Sequence, residues 1–175
     1  MAQAKYAMVN LVDVCEEIFA GGDVPNNYSK NKTEHNTIPI YSNGIGDKSL
    51  YGYTNIGRVN KKCVTISARG TIGYPEIRDT PFFPIVRLIV AIPNPQILNY
   101  RFLKYALETI NIKGIGNSIL QLTVPTVKDL KIPLPPLSIQ QQIVDKIESY
   151  QAIINGAKQV VQHYKPQMIL MMIGR

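Results

Sequence analysis

Residues 131–143 read Lys-Ile-Pro-Leu-Pro-Pro-Leu-Ser-Ile-Gln-Gln-Gln-Ile, and they divide the chain into two parts with different sequence patterns. The three prolines of this stretch favour extended backbone, so they predict a stiff hinge. Ser138, followed three residues later by Gln141, is typical of a capping box, in which the serine caps a helix and the glutamine reaches back to it. The stretch therefore predicts a hinge followed at once by a helix.

This helix is expected to run from Ser138 to Lys165 and to end at Pro166, a length of about 27 residues and roughly 40 Å at about 1.5 Å per residue. Its apolar residues recur at alternating spacings of four and three, which is the heptad pattern of a coiled coil. A helix packed along its own domain is the alternative, but the hinge and the length favour a helix that projects and pairs with another, parallel or antiparallel. The predicted pairing residues are Ile143, Ile147, Tyr150, Ile154, Ala157, Val161 and Tyr164.

The part before the hinge has short apolar runs separated by glycine, asparagine and proline, which is typical of strands joined by turns. The predicted strands are Ile38 to Ser42, Gly52 to Arg58, Cys63 to Ser67, Thr71 to Tyr74 and Phe83 to Ala91. Because no helical pattern separates these strands, the sheet is expected to be small and mostly antiparallel. The predicted fold class is α+β, with a mixed α/β domain over residues 1–134 and the hinge with its long pairing helix over residues 135–175.

Helical and edge elements surround this sheet. The best-defined helix is predicted over Tyr100 to Ile110, because Asn99 is a plausible N-cap and the apolar residues form one stripe. The remaining expected elements are a short strand at Tyr6 to Val9, a helix over Leu11 to Ile18, polar loops over residues 23–36 and 111–122, a helical turn at Thr126 to Leu130 and an edge segment at Lys131 to Leu134.

The charge of the protein is concentrated in the middle of the chain. The 175 residues carry a net charge of +7, and residues 25–135 alone carry 14 basic against 6 acidic residues. Such a distribution indicates a polyanionic partner, and nucleic acid is the first candidate. The basic, aromatic and small polar residues of the predicted loops have the donors to contact phosphates and base edges. The candidate DNA-binding residues are Lys30, Lys32, Ser42, Asn43, Lys48, Tyr53, Lys61, Lys62, Arg69, Gly70, Thr71, Lys113 and Asn117.

Other classes of function find little support in the sequence. The chain has two cysteines, Cys15 and Cys63, and two histidines, which predict reduced thiols in a cytoplasmic protein and no metal site or cofactor. The apolar runs are too short to span a bilayer, so no membrane contact is expected. No phosphate-binding glycine loop is present, and Asp129-Leu130-Lys131 offers only half of a nuclease-like element. Catalytic residues are therefore not predicted.

Three segments together resemble one half of the specificity (S) subunit of a Type I restriction-modification system. They are Val9 to Cys15, Val64 to Gly73 and, most specifically, Ile132 to Val144. The resemblance implies that residues 1–134 form a target recognition domain that reads one half of a split DNA site. It also implies that the long helix sets the distance to the other half, and that Ser67 to Gly73 is a turn near the DNA. Catalysis would reside in separate methyltransferase (M) and restriction (R) subunits.

A full S subunit has two recognition domains and two such helices, whereas one of each is recognisable here. The chain is therefore expected to be either a half subunit that forms a homodimer on an inverted repeat or a fragment of a longer protein. Two other classes stay open. One is a protein-interaction adaptor or antitoxin-like regulator that uses the heptad helix without binding DNA, and the less favoured one is a nuclease.

Overall fold

The computed structural model describes residues 6–110, 112 and 121–173, with side chains as far as residue 165. The strands are β1 Met8–Asn10, β2 Cys15–Ala20, β3 Tyr28–Ser29, β4 Ile38–Tyr41, β5 Leu50–Thr54, β6 Cys63–Ile66, β7 Pro75–Arg78, β8 Phe83–Pro84, β9 Ile89–Pro93 and β10 Lys131–Pro133. The helices are α1 Leu11–Val14, α2 Tyr100–Thr109, α3 Val124–Lys128 and α4 Leu137–Ile173, and a 3₁₀ turn covers Gly46–Ser49.

The described strands form two four-stranded sheets and one two-stranded pair. The first sheet has the order β2-β9-β6-β7 and is antiparallel throughout. The second has the order β3-β5-β4-β8, in which only the β4–β8 pair is parallel. The two-stranded pair joins β1 to β10, so the segment before the hinge lies beside the N-terminal strand. The predicted α+β class and the mostly antiparallel pairing are confirmed, but the described strands form two four-stranded sheets and a pair where the sequence predicted a single sheet.

Helix α2 packs on the first sheet and closes the main core. Its buried residues Leu103 and Leu107 lie against Val64 and Ile66 of β6 in one apolar cluster. The predicted N-cap is confirmed, because the side chain of Asn99 accepts hydrogen bonds from the first turn of the helix. The pattern of residues 99–110 therefore predicted this element nearly to the residue.

Two predicted elements in the first sheet are corrected. The helix expected over Leu11 to Ile18 ends at Val14, and β2 follows it directly. Five residues of β2 pair with β9, with a bulge between Cys15 and Glu17, and this pairing buries Ile18 and outweighs one more helical turn. The strand expected at Thr71 to Tyr74 is a turn with Gly73 at φ +79°, and the strand begins only at Pro75. Glycine readily adopts this left-handed conformation, so it breaks the strand pattern there.

The strand expected over Phe83 to Ala91 is also corrected. It is divided into β8 and β9 by Val86 and Arg87, whose φ angles are +50° and +61°. The helical turn expected at Thr126 to Leu130 begins two residues earlier, because Thr123 accepts a hydrogen bond from the Thr126 N–H and caps α3.

The start of α4 differs from the predicted capping box. The helix begins at Leu137, and the Pro136 carbonyl accepts hydrogen bonds from the N–H groups of Ile139 and Gln140 at 2.9 and 3.0 Å. Ser138 is exposed within the first turn, and the Gln141 side chain contacts Asp145 and Asn99 instead of reaching back. Contacts with the domain therefore fix the first turn, so the serine has no capping role.

The buried side chain of Gln140 makes the contact that fixes this turn. Its amide nitrogen donates to the carbonyls of Ile97 and Pro135, both at 2.8 Å, and its amide oxygen accepts from the Asn99 N–H at 2.8 Å. Gln140 is fully buried, so its side chain takes the place of water as the hydrogen-bond partner of these backbone groups. Gln140 joins the hinge, the loop before α2 and α4 in one network.

Replacing Gln140 by leucine is expected to lower the free energy of unfolding by about 2 kcal/mol, because two carbonyls and one N–H lose a buried partner. Chemical denaturation of the variant measures the change. Gln142→Leu is the matched control, since Gln142 is exposed two residues away, and it is expected to change stability by less than about 0.5 kcal/mol. Equal stability of the two variants would contradict the structural role of Gln140.

The beginning of α4 belongs to the globular core and its remainder projects. Val144 is fully buried and Ile143 packs against the core cluster, while Arg101 of α2 binds Glu148 at 2.7 Å. All side chains from residue 149 to residue 165 are exposed. The helix also continues through Pro166 to Ile173, so the predicted end at Lys165 is wrong. Proline removes one backbone donor, and methionine and leucine, which follow it in the sequence, are residues of high helix propensity.

Candidate nucleic-acid interface

Two loops that contain predicted DNA-contacting residues lie side by side in the fold. They are residues 42–49, between β4 and β5, and residues 67–74, between β6 and β7. The Ser67 hydroxyl donates to the Gly44 carbonyl at 3.2 Å and accepts from the Gly44 N–H at 3.1 Å. The Asn43 side-chain oxygen accepts from the Ala68 N–H at 2.7 Å. The structure thus brings together the predicted residues of these loops, which are Ser42, Asn43, Lys48, Arg69, Gly70 and Thr71.

A third element joins these loops. The turn at Val86 and Arg87 is bound by Asn43, whose amide nitrogen donates to the Val86 carbonyl at 2.8 Å. The N–H groups of Val86 and Arg87 donate to the carbonyls of Gly22 and Gly21 at 2.8 and 3.0 Å. Asn43 therefore holds the loop after β6 and this turn in fixed positions. The sequence predicted Asn43 as a DNA contact, and the structure adds this positioning role.

Three arginines surround Gly21 and Gly22, and we call them the arginine surface: Arg58, Arg69 and Arg87. Arg69 and Arg87 line a cavity of about 420 Å³ together with Gly21, Gly22, Asp23, Val24 and Val86. A Cβ atom on Gly22 would lie 3.5 Å from a terminal nitrogen of Arg58, which places this side chain at the same loop. Within the described part of the chain, none of the three forms an ion pair. Asp23 is the one acidic residue that lines this cavity, so the described lining carries a net positive charge that attracts anions.

The sequence predicted only Arg69 of this surface. Arg58 and Arg87 were placed at the end and in the middle of strands, where side chains alternate between faces and no loop residue is expected. Arg58 directly follows Gly57 in the sequence, and a glycine at this position indicates that the strand ends before Arg58. Val86 and Arg87 give no such sign, because left-handed turns normally contain asparagine or glycine.

A second cationic region lies on the second sheet. Lys30 follows β3, and its ammonium group lies 3.8 Å from the centre of the Tyr51 ring. The rings of Tyr28 and Tyr51 are 5.7 Å apart, so the lysine and the two tyrosines form one exposed cluster. Tyr53 pairs with Ser29 in the same sheet, and Lys32 is exposed in the loop after β3. The predicted residues Lys30, Lys32 and Tyr53 therefore share this region.

Lys61 and Lys62 lie away from the arginine surface. Lys61 binds Glu16 at the beginning of β2, whereas Arg87 binds the carbonyl of Gly21 just beyond the end of that strand. Five residue steps of extended strand separate Glu16 from Gly21, a distance of roughly 16 Å. Lys62 lies 5.5 Å from the Tyr100 ring and lines a groove with Leu137 at the start of α4. The remaining candidates, Lys113 and Asn117, fall outside the described residues.

Over residues 6–110, 112 and 121–173, no group of three or more His, Cys, Asp and Glu residues is arranged to hold a metal ion. The same residues include no helix with the length and hydrophobicity needed to cross a membrane.

Cys63 is buried and Cys15 is partly buried, so the fold shields both thiols. Burial raises the pKa of Cys63 from 9.0 to about 12, and it has the same effect on Cys15. Since the thiolate is the nucleophile, neither cysteine is reactive near neutral pH in the folded protein.

We expect native protein at pH 8 to resist iodoacetamide at both cysteines and to be alkylated rapidly in denaturant, as mass spectrometry would show.

The raised pKa also predicts that the thiols contribute full stability below pH 9.0 and that this contribution is lost as the pH rises towards 12. Replacement of Cys63 by alanine removes this pH dependence at one site. Rapid alkylation of the native protein would contradict the buried positions.

The fold defines the class of this protein. It matches a chain from a study titled "Structural basis underlying complex assembly and conformational transition of the type I R-M system", with a TM-score of 0.77, 21% identity and 98% of this chain and 44% of that chain covered. It also matches the HsdS subunit of Thermoanaerobacter tengcongensis, with a TM-score of 0.70, 22% identity and 91% and 41% coverage. The fold is therefore that of a type I specificity subunit.

The sequence assigns the chain to a family. Residues 3–163 match the family of the Type I restriction modification DNA specificity domain, and the chain belongs to that family. The family serves DNA recognition rather than catalysis. Two relatives from Mycoplasma pneumoniae are the type I specificity subunits S.MpnORF507P, 34% identical over 144 residues, and S.MpnORF89P, 37% identical over 133 residues. These alignments cover 82% and 76% of this chain but only 39% of each relative.

Proposed function

We propose that this protein recognises one half of a bipartite DNA target and directs the methyltransferase and restriction subunits of a type I system to it. The observation that carries the proposal is the arginine surface, where loops from both sheets hold three arginines without ion-pair partners in the described chain. Exposed unpaired cations at the end of a rigid sheet are suited to the phosphates and base edges of duplex DNA.

We propose different roles for the globular part of the chain and for the projecting helix α4. Residues 1–134 form the recognition domain, and residues 135–175 form the hinge and the spacer, whose first turns are anchored in the core. Beyond the anchor, the helix exposes apolar side chains that a soluble helix would ordinarily bury. The exposed apolar residues of this part are Tyr150, Ile153, Ile154, Val160, Val161 and Tyr164. We propose that a second copy of the chain covers them and thereby adds the second half of the site.

The decisive experiment maps the methylated positions in host DNA with and without this gene. A gapped motif that loses its methylation on deletion is the expected result, and a methylome that is unchanged would contradict the proposal. Because the enzymes act on the genome, the proposed site of action is the cytoplasm.

Direct binding provides a second test. The full chain with its methyltransferase subunit is expected to bind duplex DNA at low salt, and each phosphate contact steepens the fall of log K with log salt by about 0.9. Absence of duplex binding by a chain that still dimerises would instead favour the protein-interaction adaptor. DNA cleavage by the isolated chain in the presence of a divalent metal would favour the nuclease.

A further inference from the structure

The turn at Val86 and Arg87 has an unusual backbone. Both residues have left-handed φ angles, +50° and +61°, and the Leu88 N–H donates to the Ile85 carbonyl at 3.0 Å to close the turn. Two consecutive left-handed residues are normally Asn-Gly, because a side chain that branches at Cβ crowds the backbone there. Valine at the first of these positions is among the least suited residues. The fold therefore imposes this conformation against local preference.

The surroundings of the turn show how it is held. Three hydrogen bonds bind it, from the N–H groups of Val86 and Arg87 to the glycine pair and from Asn43 to the Val86 carbonyl. The approach of the chains is so close that a Cβ atom on Gly21 would lie 2.6 Å from the Pro84 carbonyl carbon. Strained backbone held by so many contacts is found mainly at functional sites.

The three arginines differ in the donors that they have left. Arg69 gives its Nε and one terminal nitrogen to the Gln121 side-chain oxygen, at 3.0 and 2.6 Å. Arg58 lies 5.2 Å from the Phe19 ring. Arg87 is exposed and makes no side-chain contact of either kind with the described residues, so its whole guanidinium group is available. Among the three, it alone has a left-handed φ itself, whereas Arg69 precedes the left-handed Gly70.

We propose that Arg87 reads a guanine edge in the major groove, and that the exposed Val86 packs beside it on the neighbouring base. Phosphate contacts tolerate a flexible side chain on a mobile loop, whereas a two-bonded contact to guanine requires a fixed backbone. The held turn provides such a backbone, because it fixes the position of the Arg87 Cα atom from which the free guanidinium group extends. This inference rests on the proposed DNA recognition and adds to it the residue and the base.

The test selects bound duplexes from a randomised pool with the full chain and its methyltransferase subunit. Wild type is expected to yield a motif, and Arg87→Ala is expected to yield the same motif with one G·C position relaxed by roughly 5- to 150-fold in discrimination. Arg87→Lys is expected to relax the same position, because lysine lacks the planar fork. Arg58→Ala is the matched control and is expected to weaken binding to all sequences alike.

A stabilised variant separates recognition from folding. Val86→Asn keeps Arg87 and relieves the strain, so it is expected to raise the Tm and to keep the G·C position, while the preference at the neighbouring base that Val86 contacts is relaxed. Val86→Asn combined with Arg87→Gly creates the preferred turn, so it is expected to raise the Tm further and to relax that position.

Two outcomes have distinct meanings. If wild type yields a motif and the Arg87 variants leave it unchanged, or relax an A·T position, the inference about Arg87 is overturned and the proposed function stands. If wild type yields no motif at all, the proposed function fails and the inference falls with it.

Discussion

Ile154→Glu is expected to convert a dimer of this protein into monomers. Ile154 lies near the middle of the predicted seam and is 47% exposed in the isolated chain. In a paired helix its side chain would face a partner, and a carboxylate buried there without a counter-charge costs about 3–5 kcal/mol. That cost weakens association by at least about 100-fold.

Sedimentation equilibrium measures the result directly. Wild type is expected at twice the chain mass of 19.6 kDa, and the variant is expected at the chain mass. Gln159→Glu is the matched control, because this substitution adds the same negative charge at an exposed position on the opposite side of the same helix. A wild-type monomer at high concentration, or a dimeric Ile154→Glu variant, would contradict pairing through this seam.

Arg78→Ala is expected to lower the free energy of unfolding by about 3 kcal/mol. Arg78 is 8% exposed, and its guanidinium group donates to Ser49, Thr65 and Glu76 at 3.1, 3.2 and 2.8 Å. It also lies 3.6 Å from the centre of the Tyr41 ring. Removing it breaks a buried charge-assisted network and the stacking that joins the two sheets.

Urea denaturation measures this loss, which corresponds to a fall in Tm of roughly 6–12 °C. Arg58→Ala is the control, since Arg58 is exposed and forms no ion pair with the described residues; it is expected to change stability by less than about 0.5 kcal/mol. Because Ser49 ends the 42–49 loop, Arg78→Ala is also expected to weaken DNA binding. Equal stability of the two variants would show that the network contributes little.

Local patterns predicted the elements that depend on neighbouring residues. The helix after Asn99 and the strand at Cys63 were placed nearly to the residue, because a cap and a bounded apolar run are read over a few positions. The helix expected up to Ile18 failed for the opposite reason. Its backbone finds better partners in β9, more than seventy residues away along the chain, than in its own next turn.

The candidate site was predictable in part. The polar segments around Asn43 and Arg69 were recognised from their glycines and polar residues, although residues 71–74 were predicted as a strand, and the structure joins the two segments through Ser67 and Asn43. Arg87 was missed because its position depends on a left-handed turn that no local preference indicates. The sequence assigned no role to Gln140, whereas contacts with Ile97 and Pro135 make it a buried structural residue.

By itself, the sequence determined that a basic α+β domain is followed by a hinge and a long helix with an exposed apolar seam. Composition, glycine and proline positions and heptad spacing carry that information because they act over short distances. Only the tertiary structure decided that Arg58, Arg69 and Arg87 meet around Gly21 and Gly22. It also decided that α4 is anchored by Gln140. Both depend on hydrogen bonds between segments far apart in the chain, and such bonds exist only once the sheets have formed.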